Sequence, residues 1–184
     1  DWIIQRLVTG MAITVEDIRN MGVGGLLKEI PSRPMPRTEA SPPRAKATEA
    51  SPQVAAIVLA AGQSQRMGRQ NKLLAEIDGM AMVAHTVNAI LASTVESVTV
   101  VLGHEADRVR ESLSSRNVTF VGNPDYAAGL STSLRRGLAS LPSSTDAALI
   151  CLGDMPRISA AEIEHLIASY APSQGHAICV PTYN

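Results

Sequence analysis

The side chains with most to offer chemically are gathered in one short stretch, QSQRMGRQNK at 63–72, which holds Arg66, Gly68, Arg69 and Lys72. It is entered through Gly62, after an apolar run, Val54–Ala60, that is too short to span a membrane and of the right length for a buried strand. A buried strand emptying into a cationic loop of small residues suits a polyphosphate. Small side chains let backbone N–H groups approach the anion, and Arg and Lys neutralise the charge that the amides leave. Two common phosphate loops do not fit. A Walker loop needs Gly, four residues, then Gly-Lys-Ser/Thr, but five residues separate Gly62 from Gly68 and Arg69 follows. A dinucleotide fingerprint needs Gly-x-Gly-x-x-Gly, which the residues around Gly62 do not provide; Glu76 or Asp78 as a ribose-binding acid would stand without those glycines.

The elements that must position this loop follow from the hydrophobic pattern. Met82, Thr86 and Ile90, with Val83, Val87 and Leu91, form a double i, i+4, i+8 ridge and predict a helix over 80–92. SVTVVL at 97–102 is β-branched and apolar, a strand. Residues 105–113 predict a helix with Val109 and Leu113 on one face, and 118–121 a short strand ending at Gly122-Asn123-Pro124. Leu134, Leu138 and Leu141 predict a helix from about Ser131. AALICL at 147–152 is a fully apolar strand, expected at the centre of the sheet. Ser159 and Glu162 make a capping box for a helix carrying Ile163, Leu166, Ile167 and Tyr170. One more strand is expected from 177 to 180. Repeated βα units with continuous apolar strands predict an α/β fold whose mostly parallel sheet has helices on both faces. Ligands in such sheets bind beyond the carboxyl ends of the strands.

Composition excludes several classes. The 184 residues are 45% hydrophobic and 18% charged, enough for one ordinary domain with a sizeable core and some additional sequence. A net charge of −1 gives no broad attraction to nucleic acid or an anionic membrane, and 3% aromatics argue against a stacking platform for single strands. No signal-peptide pattern or span-length apolar segment is present, so a soluble cytoplasmic protein is expected. Cys151 and Cys179 both fall in apolar runs and read as buried reduced thiols ahead of a disulfide or metal pair. No His/Cys spacing suggests zinc; His85 and His165 read as helix-surface residues and His104 as a loop residue near a helix start.

The loop reads L-A-A-G-x-S-x-R-M-G-x-x-x-K, from Leu59, Ala60, Ala61 and Gly62 through Ser64, Arg66, Met67 and Gly68 to Lys72. It resembles the signature of the nucleotidyltransferases with a Rossmann-like fold. NKLL at 71–74, GNPDYAAGLSTSL at 122–134 and LGDMP at 152–156 narrow the resemblance to the molybdenum cofactor cytidylyltransferases, and it covers 54–184. Members of that family continue past the point where this chain ends, so the sheet is expected to be truncated at the C-terminus. The resemblance implies transfer of CMP from CTP to the phosphate of a molybdopterin-type cofactor, with Mg²⁺ and release of pyrophosphate.

Within that reaction, positioning and charge neutralisation dominate. Backbone amides around Leu59, Ala60, Ala61, Gly62 and Ser64 would hold the triphosphate. Arg66 and Lys72 would offset charge on the pyrophosphate leaving group. Asp154, in the turn after a buried strand, is the expected Mg²⁺ ligand. Gly129, Ser131 and Ser133 open a helix, where hydroxyls and free N–H groups read the base or sugar, or simply cap the helix. By resemblance, Ala61 marks a cytidylyl member, since guanylyl relatives carry Leu-Ala-Gly-Gly there. Other acceptors (a sugar phosphate or an isoprenoid-precursor phosphate), guanylyl transfer, or a nucleotide-binding module without turnover are the alternatives.

The first fifty-two residues read as accessory. MGVGGLLKEI at 21–30 resembles the tail of a molybdopterin-binding domain fused ahead of such enzymes, and 1–30 is assigned to it; taken alone, its glycine cluster is a tight turn. Residues 31–52 hold six of the eleven prolines and read as a semi-extended linker. The transferase domain then occupies 53–184. A molybdoenzyme or its chaperone is the further partner this organisation implies.

Overall fold

A computed structural model describes residues 51–62, 71–174 and 179–181. The expected tail at 1–30, most of the linker, and Ser64 and Arg66 lie outside the described residues.

Four parallel strands form the central sheet: β1 (Val54–Ala60), β4 (Ser97–Leu102), β5 (Thr119–Gly122) and β6 (Ala147–Leu152), in the order β5-β4-β1-β6. Registers such as Ala60↔Leu102, Leu59↔Leu152 and Leu102↔Gly122 bring all four carboxyl ends to one edge. Four α-helices accompany it: α1 (Met82–Leu91), α2 (Ala106–Ser112), α3 (Leu130–Ala139) and α4 (Ala160–Ser169). The α/β class and the mostly parallel sheet expected from the pattern are present.

Side-chain alternation along β1 divides the core into two. Ala56, Val58 and Ala60 face one layer with Val100 and Leu102 of β4, Val83, Val87 and Ile90 of α1, Val109 of α2 and Ile163 of α4. Ala55, Ile57 and Leu59 face the other, against Leu134 and Leu138 of α3 and Leu141 just beyond it. A strand buried on both faces has to be apolar throughout, and every residue of β1 is buried. The capping box expected at α4 is formed: the Ser159 hydroxyl accepts from the Glu162 N–H, and the Glu162 carboxylate returns to the Ser159 N–H. Those contacts hold the Glu162 carboxyl below the usual carboxylate range, with the Ser159 backbone N–H the leading cause.

Three expectations come out differently among the described residues. The described sheet has β6 at an edge, where it pairs with β1, and Ile150 and Leu152 on one of its faces are 38% and 43% exposed. An apolar run states that a strand's surroundings suit apolar side chains; it does not state how many strands flank it. The strand expected over 177–180 falls half outside the described residues, and 179 and 180 have no regular structure. Residues 76–81, taken partly into a helix by the sequence pattern, instead form a small antiparallel hairpin, β2 (Glu76–Ile77) and β3 (Met80–Ala81). Its turn is Asp78-Gly79, with φ of 50° and 77°, the pairing that a two-residue hairpin turn favours.

Both cysteines are free, as expected, but only Cys151 is buried; Cys179 is half-buried. Burial pushes the Cys151 thiol up to about 11, so its reactive thiolate is scarce at neutral pH. Under native conditions at pH 7.5, an alkylating reagent should label Cys179 and leave Cys151 unmodified until the chain unfolds, as read by peptide mass. Rapid native labelling of Cys151 would contradict this packing.

Candidate active site

The carboxyl ends of β1, β4 and β6 supply the site's floor, and each hands over to a segment held by specific contacts. β1 runs into Ala61, which is buried, and Gly62, which is exposed with open space where a Cβ would stand. Leu59 and Ala60 keep their side chains in the core, and the Leu59 carbonyl accepts from the Gly153 N–H at 3.0 Å. Their contribution is to fix the strand from which the loop departs. β4 runs into Gly103, and the His104 N–H reaches the Ala61 carbonyl at 3.3 Å. The approach here is very close. A Cβ on Gly103 would lie 2.6 Å from Tyr126 Cβ and 2.8 Å from Ala61 Cβ, so only glycine lets the three segments meet.

β6 ends in the turn that carries Asp154. The buried Thr86 of α1 donates its hydroxyl to the Gly153 carbonyl at 3.3 Å, which braces that turn from below. Opposite it, Asn71 builds the single 3-10 turn Lys72–Leu74: its side-chain oxygen accepts from the Leu73 N–H at 3.1 Å and its carbonyl from the Leu74 N–H at 3.0 Å. From this turn Lys72 Nζ reaches Asp154 Oδ2 at 2.9 Å, with the two side chains 40% and 34% exposed. Two sequence-predicted residues 82 positions apart are thus in direct contact, with solvent access for a charged ligand.

The third group assembles around Asn123, just past β5. Asn123 is buried; its amide donates to the hydroxyls of Thr132 and Ser133, both at 2.9 Å, and its oxygen accepts from the Asp125 N–H at 3.0 Å. This fixes the Tyr126–Ala128 turn to the start of α3. Gly129 is exposed and stands at the N-cap with φ 118°, without a side-chain cap. Ser131 is half-buried, while Ser133 is buried and its hydroxyl serves Asn123. The opening of α3 therefore offers N–H groups and Ser131 to a ligand more readily than Ser133.

Residues 56–184 match the model of the MobA-like NTP transferase domain family. The chain belongs to that family. Relatives of this MobA-like domain include the bifunctional protein GlmU of Kineococcus radiotolerans, 33% identical over 138 residues that make up 73% of this chain and 28% of that protein. The Listeria monocytogenes bifunctional protein GlmU is 32% identical over 128 residues, 69% of this chain and 28% of that one. A solved nucleotidyl transferase from Methanothermobacter thermautotroptrophicus superposes with a TM-score of 0.59 at 34% identity, over 63% of this chain and 57% of that one. A homolog of Mycobacterium tuberculosis Rv0371c from Mycobacterium sp. strain JC1 does so at 0.59 and 30%, over 64% and 59%. The MobA-like chain thus spans 28% of these curated relatives and less than two thirds of these solved ones.

Sequence reasoning named Lys72 and Asp154 but not the residues that seat them. Thr86 counted only as part of an apolar ridge, and Asn71 and Asn123 were quoted within motifs without a role. An asparagine whose side-chain oxygen can accept from the N–H two residues on, the Asx pattern, was the available signal for Asn71 and for Asn123 alike. Glu105 gave no sequence signal at all.

Proposed function

We propose that the chain is the nucleotidyltransferase domain of a molybdenum cofactor cytidylyltransferase, moving CMP from CTP to the phosphate of a molybdopterin-type cofactor. The observation that carries this reading is the Lys72–Asp154 contact, which joins the signature loop to the Gly-Asp-Met-Pro turn at the carboxyl edge of the sheet. In the reaction an oxygen of the acceptor phosphate bonds to the α-phosphorus of CTP as the bond to the β-phosphate oxygen breaks, and pyrophosphate leaves. Lys72, with Arg66 from the loop, offsets the charge on the leaving group, and the amides of 61, 62 and 64 hold the triphosphate. Gly129, Ser131 and the start of α3 face the base or sugar.

Mg²⁺ fits this site as a substrate-borne ion. Among the described residues no three His, Cys, Asp or Glu side chains gather as a metal cage. Mg²⁺ in nucleotide enzymes is commonly held by one or two carboxylates together with substrate phosphates, and Asp154 has one oxygen beyond that used by Lys72. Bound there, the ion supplies charge neutralisation at the phosphate oxygens.

Base choice is assigned to Ala61. Its side chain is 4% exposed and packs at Gly103, so its methyl acts by setting the spacing between the β1 loop and the β4 turn, leaving less room for a purine. The tail at 1–30 and linker 31–52 would tether a cofactor-holding domain and raise the effective concentration of acceptor. A molybdoenzyme or its chaperone then receives the product in the cytoplasm. No helix among the described residues is long and apolar enough to cross a membrane.

Pyrophosphate release tests the reading. With a molybdopterin-type acceptor and Mg²⁺, CTP should turn over at least about tenfold faster than GTP, a purine clash of modest size being enough for that ratio. A GTP preference would sink the base assignment. The second reading is another acceptor phosphate on the same frame, since the matching family is described as an NTP transferase domain without an acceptor in its description. Turnover with a sugar phosphate or isoprenoid-precursor phosphate, and none with the cofactor, would establish it instead.

A further inference from the structure

Glu105 occupies a backbone conformation that glutamate adopts only at a cost. Its φ of 50° and ψ of 40° lie in the left-handed region, which glycine enters freely and other residues rarely. It stands at the N-terminus of α2, yet that helix has no side-chain cap hydrogen bond. What the carboxylate touches lies elsewhere. One oxygen accepts from Arg108. The other, Oε2, lies 3.8 Å from His104 Nε2, is buried, and has no hydrogen-bond partner among the described residues.

A matching donor is beside it. Asn71 is 4% exposed, and its Nδ2 is likewise buried without a partner among the described residues. Helix α2 packs against the Lys72–Leu74 turn that Asn71 opens, and the Glu105 carboxyl is held below the usual range first by Arg108 and then by the Asn71 side chain and His104. Buried polar atoms left without partners call for an explanation, and here one is a donor and the other an acceptor, at the ends of elements that pack together. The Asn71 oxygen is committed to the Leu73 N–H, which leaves its NH₂ in need of another acceptor. A carboxylate, which only accepts, holds that amide in one orientation.

We propose that Glu105 is a positioning residue for nucleotide transfer, holding the Asn71 amide so that the Lys72–Leu74 turn presents Lys72 to Asp154 and to the triphosphate. The proposal rests on the reading of Lys72 as a nucleotide-binding residue. It accounts for a glutamate in a glycine conformation: the side chain braces a turn 34 residues upstream, and the distorted backbone is what brings it there. Arg108 takes the other carboxylate oxygen and His104 lies beside Oε2, so Oε2 is the oxygen left for the brace.

Two measurements on the 184-residue chain decide it. Without ligand, Glu105→Ala should speed hydrogen exchange of the Leu73 amide about tenfold, Glu105→Gln should restore most of the protection through its carbonyl, and Arg108→Ala should change it little. Amides of Val58 and Val100 should be unaffected by all three. With Mg·CTP, calorimetry should show about tenfold weaker binding for Glu105→Ala, and no further weakening when it is added to Lys72→Met. Unchanged exchange at Leu73 overturns the proposal, and so does an equal loss of affinity in both backgrounds, which would mean that Glu105 acts without Lys72. Equal Mg·CTP binding by the unsubstituted chain and Lys72→Met would overturn the reading of Lys72 itself, and Leu73 exchange then still decides whether Glu105 holds the turn.

Discussion

Replacing Asp154 with Ala should lower the rate of nucleotidyl transfer by about a thousandfold while moving folding stability by less than about 1 kcal/mol. The two effects separate because of where the carboxylate sits. Its pair with Lys72 spans 2.9 Å, but both side chains are more than a third exposed, so water and salt screen it. The turn does not depend on the carboxylate. It is held by the Gly153 N–H on the Leu59 carbonyl and by the Thr86 hydroxyl on the Gly153 carbonyl. Chemistry is another matter, since charge developing on the phosphates has no other described carboxylate in this turn to organise a metal or Lys72. Lys72→Met should fall in the same range, and the double variant should be little worse than either single one, as for groups that act as a unit. Single-turnover rates with a urea titration of each variant supply the measurement. A fully active Asp154→Ala would remove Asp154 from the mechanism.

Gly103→Ala should destabilise the chain by about 1–3 kcal/mol and weaken Mg·CTP binding about tenfold. The added methyl would stand 2.6 Å and 2.7 Å from Tyr126 Cβ and Cγ and 2.8 Å from Ala61 Cβ. None of these is the flexible end of a side chain. Ala61 is held by strand β1 and by its carbonyl's bond to the His104 N–H, and Tyr126 by a turn that Asn123 secures through Asp125. The backbone segments would have to separate, and they carry Ala61 and lead into Gly129, both assigned above to nucleotide binding. Tyr126→Ala should fail to rescue, because the Cβ it keeps is itself in the collision. Ala61→Gly should relieve only the other contact. Urea midpoints and calorimetry on these variants test the account; a Gly103→Ala chain with unchanged stability and affinity would refute it.

The sheet was legible because its signals are local. Continuous apolar runs at 54–60 and 97–102 carry their burial in their composition, and the Ser159/Glu162 box carries a helix start in two residues. The hairpin at 76–81 was missed although Asp78-Gly79 announces it, because the ridge of Met82, Val83 and Thr86 extended the helical pattern back to Met80, over its second strand. The position of β6 was not legible for a different reason. Ile150 and Leu152 would read identically in a central strand or at an edge, since hydrophobicity records affinity for an apolar surface and not the presence of a neighbour.

By itself the sequence determined that a buried strand ends in a small, cationic loop, that βα units follow it, and that Lys72 and Asp154 lie in segments resembling nucleotidyltransferase motifs. Those are properties of residue types at short spacing. Only the tertiary structure decided that Lys72 and Asp154 touch, that Thr86 and Asn71 seat them, that Ser133 is engaged by Asn123, and that Glu105 Oε2 and Asn71 Nδ2 are both buried. The physical reason is that strand register sets these contacts. Once Leu59 pairs with Leu152 and Ala60 with Leu102, the residues beyond those strand ends meet, whatever their separation along the chain.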